Sequence, residues 1–143
     1  MSPEPQPQSA VVEARLRVRY AETDQMGVVY YANYLVWFEV GRVEYFRAHG
    51  FSYSQMERQD DCHLPVAEAR CRYKAPARYD DPLVIRTRLT RRRGSILNFA
   101  YEIVRETDGL LLATGETVHV LVDSRFQACE LPDRYLRLPV TEA

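Results

Sequence analysis

A chain of 143 residues is sized for one domain with a single sizeable core. Its hydrophobic content of 46%, charged content of 27% and formal net charge of -1 are ordinary for a soluble globular protein, and they leave no overall basic field for nucleic acid or a membrane surface. No apolar run approaches the ~20 residues that span a bilayer, so no transmembrane segment is expected. Lys74 is the single lysine. The arginine excess is either a compositional habit or a sign of phosphate recognition, since a guanidinium grips phosphate bidentately.

Residues 1–10 carry Pro3, Pro5 and Pro7 among Gln and Glu and read as a disordered tail; residues 11–143 read as one domain. With no leader pattern and with three cysteines (Cys62, Cys71, Cys129) lacking metal-ligand spacing, a cytoplasmic protein with reduced thiols is expected. Val12 to Tyr20 alternates, placing Val12, Ala14, Leu16, Val18 and Tyr20 on one buried strand face. Asn33 then caps a helix running to about Ala48, apolar over most of its girth from Tyr34 to Phe46 and therefore buried on several sides. Gly41 in its middle costs roughly 1 kcal/mol against alanine, which close approach of another backbone would explain. Gly50 ends the helix.

Phe51 to Arg58 reads as a short second helix, and the pattern then turns to strands. Leu64 to Lys74, Leu83 to Arg91, Ile96 to Arg105 and Leu110 to Val122 follow in hairpin-like succession, the last two joined by the hairpin dipeptide Asp108-Gly109. Pro132 opens a terminal segment whose Tyr135 and Leu138 are placed to pack back on the domain. Strands joined by short turns are antiparallel, and one nearly all-apolar helix needs a sheet curved around it. The fold class is α+β, with about five strands and the helix on one sheet face.

The stretch T-D-Q-M-G-V-V-Y-Y-A-N-Y, Thr23 to Tyr34, holds the chemistry. Asp24 precedes the helix, Gly27 permits a tight turn, and the helix starts with free backbone N–H groups near Tyr31 and Ala32. Those donors and the positive dipole end suit a developing oxyanion. Val28, Val29, Tyr30, Tyr31 and Tyr34 supply an apolar, aromatic surround able to hold an acyl chain. The plain alternatives are an Asp24 that satisfies local backbone N–H groups and aromatics that serve the core.

The run Y-A-E-T-D-Q-M-G-V-V-Y-Y-A-N-Y-L-V-W-F-E, Tyr20 to Glu39, resembles the signature of 4-hydroxybenzoyl-CoA thioesterase-like hotdog proteins and is similar to that of Tol-Pal-associated thioesterases. The resemblance continues through Y-K-A-P-A-R-Y-D-D-P-L at 73–83 to E-L-P at 130–132. It implies a hotdog fold, a homodimer whose sheets join, pairing of dimers into a tetramer, and active sites at the dimer interface. It also implies an acyl-CoA substrate, cleaved to free acid and CoA; the aromatic residues suit a short-chain or aromatic acyl group. The family's catalytic aspartate falls on Asp24 and its oxyanion donor on the Tyr31 backbone N–H; from the loop's own residues, Gly27, Val28, Val29, Tyr30 and Tyr34 are expected at the substrate. No cofactor is implied, coenzyme A being part of the substrate.

CoA phosphates call for arginine near the mouth of such a site. Arg91, Arg92, Arg93, Gly94 and Ser95 form the best cluster, with Lys74 and Arg78 as weaker candidates; a solvated hairpin tip is the other account of the cluster. Glu39 reads as a charge paired with Arg42 or Arg19, although a helix carboxylate also works in some hotdog enzymes. His49, His63 and His119 show no metal spacing, and no Ser-His-Asp arrangement or G-x-S-x-G elbow is present. The competing functions are a hydratase or dehydratase acting on acyl thioesters, against which the lack of a histidine near Asp24 counts, and a non-catalytic acyl-CoA-binding module.

Overall fold

The alternating stretches pair into one antiparallel sheet in the computed structural model, which describes residues 9–141. The strands are β1 (Val11–Arg17), β2 (Val66–Tyr73), β3 (Pro82–Arg93), β4 (Ile96–Arg105) and β5 (Leu111–Val120), in spatial order β1-β3-β4-β5-β2. Two tight turns set the centre of that order. β3 returns as β4 through Gly94 and Ser95, and β4 as β5 through Asp108-Gly109, where Gly109 has φ +70°. Ala14, Ile85, Ile103, Ala113 and Tyr73 stand in one cross-strand row, and the Asp24 loop meets the sheet at the end this row marks. Of the expected tail, only Ser9 and Ala10 fall within the described residues.

The inner face of the sheet, with Leu83, Ile85, Leu89, Leu97, Phe99 and Ile103 fully buried, packs on α1 (Asn33–Ala48). Trp37, Phe38, Tyr45 and Phe46 meet it from the helix, each such burial worth about 1.5–3 kcal/mol. Gly41 is closely approached, but by side chains of β3 and not by the expected backbone: a Cβ there would lie 2.2 Å from Thr87 Oγ1 and 2.8 Å from Ile85 Cγ2. α1 ends at Gly50, φ +86°, with the Phe51 N–H bonding back to the Phe46 carbonyl at 2.9 Å.

α2 (Tyr53–Gln59) starts at Ser52, whose Oγ accepts from the Gln55 N–H at 3.2 Å, and it buries Met56. The C-terminal segment packs back as expected. Tyr135 and Leu138 are buried, Tyr135 stacks on Phe51 with ring centroids 4.1 Å apart, and its hydroxyl donates to Asp60 Oδ2 at 2.7 Å. Arg134 Nη2 donates to the same carboxylate, 2.6 Å from Oδ1. Beside this latch the free thiols of Cys62 and Cys129 lie 3.3 Å apart.

Four further expectations are corrected. The four later strands do not all run in hairpin succession: β2 pairs with β5 at the sheet edge, so its connection to β3 crosses the sheet. The first strand ends at Arg17, and Tyr20 is 77% exposed, because the chain leaves the sheet in a 3-10 turn (Tyr20–Glu22) instead of continuing the alternation. α1 is covered by the sheet, by Tyr53 of the second helix and by the C-terminal segment, but not on its remaining face: Leu35 and Val36 are exposed, and none of the described residues covers them. Asn33 is the first helical residue, Ala32 is the cap position, and no side chain caps it. The outer sheet face carries the arginines. Arg70, Glu116, Ala100 and Arg88 form one row and Arg72, Thr114, Glu102 and Arg86 the next, over a shallow cleft of about 510 Å³.

Candidate active site

The loop from β1 to α1 is assembled around Glu22, which is 5% exposed. Its carboxylate accepts from the Arg19 N–H at 2.8 Å and from Trp37 Nε1–H at 3.0 Å. Its carbonyl accepts from the Tyr30 N–H at 2.8 Å and from Asn33 Nδ2 at 2.9 Å. One residue thus ties the loop's start, its end and the first turns of α1. Asn33, one residue inside the helix, thus serves the loop as a donor to Glu22 and not the helix as a cap.

Asp24 closes a tight turn within that frame. Its N–H donates to the Val28 carbonyl at 2.9 Å, and its carbonyl accepts from Gly27 N–H at 3.0 Å; Gly27 has φ +77°, a region glycine enters without a Cβ penalty. Oδ1 accepts from the Met26 N–H at 2.8 Å, so the plain account of Asp24 holds for one oxygen. Among the described residues Oδ2 accepts no hydrogen bond and meets no cation. The carboxylate is half-buried. The Val29 N–H donates to the Ala77 carbonyl at 2.8 Å and fastens the turn to the β2–β3 connection.

A cleft of about 320 Å³ opens here. Asp24, Val28, Val29, Tyr31 and Tyr34 form its near side, as the sequence predicts, together with Met26. The far wall is Tyr73, Lys74, Ala75 and Pro76. Gly27 and Tyr30 do not line it: Gly27 makes the turn, and Tyr30 lies outside against the Tyr31 ring, centroids 4.7 Å apart. At the helix start neither the Tyr31 nor the Ala32 N–H donates to an acceptor among the described residues, so both remain available to a ligand. Tyr34 Oη accepts from the Ala77 N–H at 3.2 Å, and burial raises its pKa. Tyr73 Oη–H donates to the Tyr31 carbonyl at 2.9 Å; burial raises its pKa too, which keeps it a neutral donor.

Arg91, Arg92, Arg93, Gly94 and Ser95 are not brought to this cleft within one chain. Ile96, at their hairpin, lies seven residues along β4 from Ile103 in the cleft-end row, about 23 Å at the ordinary strand rise. Arg92 is moreover committed, donating to the carbonyls of Tyr135 at 2.7 Å and Leu136 at 3.3 Å. Glu39 pairs with neither Arg42 nor Arg19; it faces outward in a shallow groove with Val36, Val40, Val43 and Glu44. Arg19 pairs with Glu22 at 3.5 Å, and Arg42 is buried against the hydroxyls of Tyr101 (3.2 Å) and Tyr53 (3.3 Å). Among the described residues no group of three or more His, Cys, Asp or Glu is placed to hold a metal, and no helix is long and apolar enough to cross a membrane.

Glu22 and Tyr73 are the site residues that sequence reasoning missed. Glu22 lies in the quoted Tyr20–Glu39 run, but nothing in its spacing shows that its carboxylate turns inward. Tyr73 has a weak local signal, since Pro76 ends the strand just after it and so brings it to the sheet's rim.

The arrangement joins a carboxylate with a free oxygen, two free N–H groups at a helix N-terminus, an aromatic wall and one ammonium from Lys74. That set suits acyl transfer to water. The chain is similar to YneP of Bacillus subtilis (strain 168), 40% identical over 113 residues covering 79% of this chain and 80% of that protein. It is similar to the acyl-CoA thioester hydrolase YbgC of Escherichia coli O6:H1 (strain CFT073), 40% identical over 108 residues, 76% of this chain and 79% of that one. The crystal structure of a DHNA-CoA thioesterase from Staphylococcus aureus superposes with a TM-score of 0.81 at 36% identity, covering 87% of this chain and 83% of that chain. A family model, the thioesterase-like superfamily, matches residues 18–138. Matched from Val18 to Leu138, and with its sheet wrapped on α1 as a hotdog, the chain belongs to the thioesterase-like superfamily.

Proposed function

We propose that this protein hydrolyses acyl-CoA thioesters to the free acid and coenzyme A, with Asp24 as the catalytic carboxylate and the Tyr31 backbone N–H as the oxyanion donor. One observation carries the reading: a single cleft is lined by Asp24, with a carboxylate oxygen, and by Tyr31, with a helix-start N–H, that no group among the described residues engages. The Tyr31 N–H polarises the thioester carbonyl and receives the tetrahedral oxyanion. Asp24 either attacks the carbonyl carbon, giving a mixed anhydride that water then opens, or takes a proton from the attacking water. In both routes the C–S bond breaks and the thiolate leaves readily, a thiol pKa being about 8.5, so no dedicated strong acid is needed.

Val28, Val29, Tyr34 and Tyr73 make a short, aromatic-walled cleft that suits a short-chain or aryl acyl group. Lys74 in the cleft suits a phosphate of the CoA arm. Arg91, Arg93, Gly94 and Ser95 serve that arm only from a second copy. β2 is an edge strand with a free side, and two-fold antiparallel pairing of two such edges turns one protomer's hairpin end toward the other's cleft end. The protein acts on this reading as a cytoplasmic homodimer, with dimers paired into a tetramer.

The test is thiol release from a panel of acyl-CoAs. Asp24→Asn is expected to keep its unfolding midpoint and to lose at least ~10²-fold in turnover, the scale of losing one transition-state contact. Unchanged turnover removes the proposal. One turnover in labelled water separates the routes, since label enters Asp24 only if the carboxylate attacks.

A further inference from the structure

The Tyr31 N–H is useful only if it points into the cleft; its own peptide is held on one side, the Tyr30 carbonyl accepting from the Asn33 N–H at 3.0 Å, and the next peptide must be held on the other. The Tyr31 side chain is 61% exposed and packs into no core. Its carbonyl accepts the first helical bond, from the Tyr34 N–H, at a long 3.3 Å. The shorter bond to that carbonyl is the Tyr73 hydroxyl at 2.9 Å, which comes from 42 residues away. We infer that Tyr73 is a positioning residue for thioester hydrolysis, its hydroxyl holding the peptide that opens α1 so that the oxyanion donor faces the cleft.

The geometry supports this from both partners. Tyr73 is fixed at its base by strand pairing opposite Ala113, a buried residue in the middle of the core row. Its ring stands edge-on to Tyr31 and Tyr34, interplanar angles 88° in each case, with centroids 6.4 and 4.9 Å away. In a trans peptide the N–H points opposite to the C=O. Holding the Tyr31 carbonyl on the Tyr73 side therefore aims the Ala32 N–H away from it and fixes ψ at Tyr31. The preceding peptide is held separately, its Tyr30 carbonyl accepting from the Asn33 N–H at 3.0 Å. That preceding peptide carries the Tyr31 N–H itself, so the Tyr73 bond acts on the donor through the Tyr31 backbone, by fixing the peptide that follows it. The hydroxyl remains a donor through neutral pH because burial opposes its ionisation.

Tyr73 also lines the cleft, so positioning has to be separated from simple wall packing. Tyr73→Phe keeps the ring and removes only the hydroxyl. We expect kcat to fall about tenfold with KM unchanged, the scale of one aligned hydrogen bond. In the same variant the amide resonances of Tyr31 and Ala32 should shift more than any others, a readout that does not depend on turnover. Unchanged kcat, a rise in KM alone, or unmoved Tyr31 and Ala32 amides each overturn the inference. It rests on the assignment of Tyr31 as oxyanion donor, and Asp24→Asn run in parallel keeps the two apart. If Asp24→Asn is inactive and Tyr73→Phe is normal, only the role of Tyr73 falls; if Asp24→Asn is fully active, both fall.

Discussion

Two carboxylates two residues apart have opposite circumstances. Glu22 is buried and spends both oxygens on donors of the fold, while Asp24 is half-buried and keeps one oxygen uncommitted. Their variants should therefore separate. In Glu22→Gln the side-chain amide turns an N–H donor toward either the Arg19 N–H or the Trp37 N–H. One of these is then left unsatisfied, at about 1–3 kcal/mol. Thermal unfolding should show that loss, and thiol release should fall as the loop loosens, whereas Asp24→Asn should lose turnover with its melting temperature intact. The Asp24 turn was legible because it closes within five residues: Asp24, Gly27 and Val28 carry their geometry in their own spacing. Tyr73 was not, since its bond to Tyr31 exists only after β2 has paired with β5.

At the level of elements, local chemistry and tertiary contact can be weighed at Gly41. Alanine there would gain roughly 1 kcal/mol of helix propensity. Its methyl would meet Thr87 Oγ1 at 2.2 Å and Ile85 Cγ2 at 2.8 Å, both on a strand in the middle of the sheet. Overpacking of that kind costs about 1–3 kcal/mol, so the clash wins and Gly41→Ala should lower the unfolding midpoint in urea. An equal or higher midpoint would mean that α1 can lift from β3 at no penalty. β4 was legible to the residue and α1 at its C-terminal end, because each is bounded there by its own punctuation: Gly94-Ser95 and Asp108-Gly109 for the strand, Gly50 for the helix. The face of α1 was misjudged. Leu35 and Val36 are apolar and outward, and periodicity registers apolar residues without saying which molecule covers them.

Across the whole molecule, a one-way chain of hydrogen bonds runs beneath α1. Arg42 donates to Tyr101 Oη at 3.2 Å, Tyr101 to Thr117 Oγ1 at 2.6 Å, and Thr117 to His119 Nε2 at 2.9 Å. His119 Nδ1 meets the Leu64 carbonyl at 3.3 Å, and as a carbonyl only accepts, the proton of the neutral ring belongs on Nδ1. Burial, with Arg42 nearby, lowers the His119 pKa to about 4 from an ordinary 6.5. Between those values the unfolded chain binds a proton that the folded one refuses. Stability from this site is thus complete above about pH 6.5 and lost as pH falls toward 4, by up to about 3 kcal/mol. Urea midpoints taken from pH 7.5 to pH 4.5 should fall accordingly, and His119→Gln should flatten the dependence. A wild-type curve with no slope over that range would contradict a neutral buried His119.

The neighbouring thiols of Cys62 and Cys129 put a second condition on the molecule, one of redox state. They stand 67 positions apart in sequence and 3.3 Å apart in space, where the α2–β2 connection meets the C-terminal segment. Exchange with a small-molecule disulfide would join them and release two equivalents of small thiol. Of the three free thiols only Cys71 would then titrate under denaturing conditions. A covalent ring of that span removes chain entropy worth about 4 kcal/mol from the unfolded state. The oxidised protein should melt higher, and Cys129→Ser should abolish the rise, so two preparations of the same chain will differ in stability according to the reductant they were kept in.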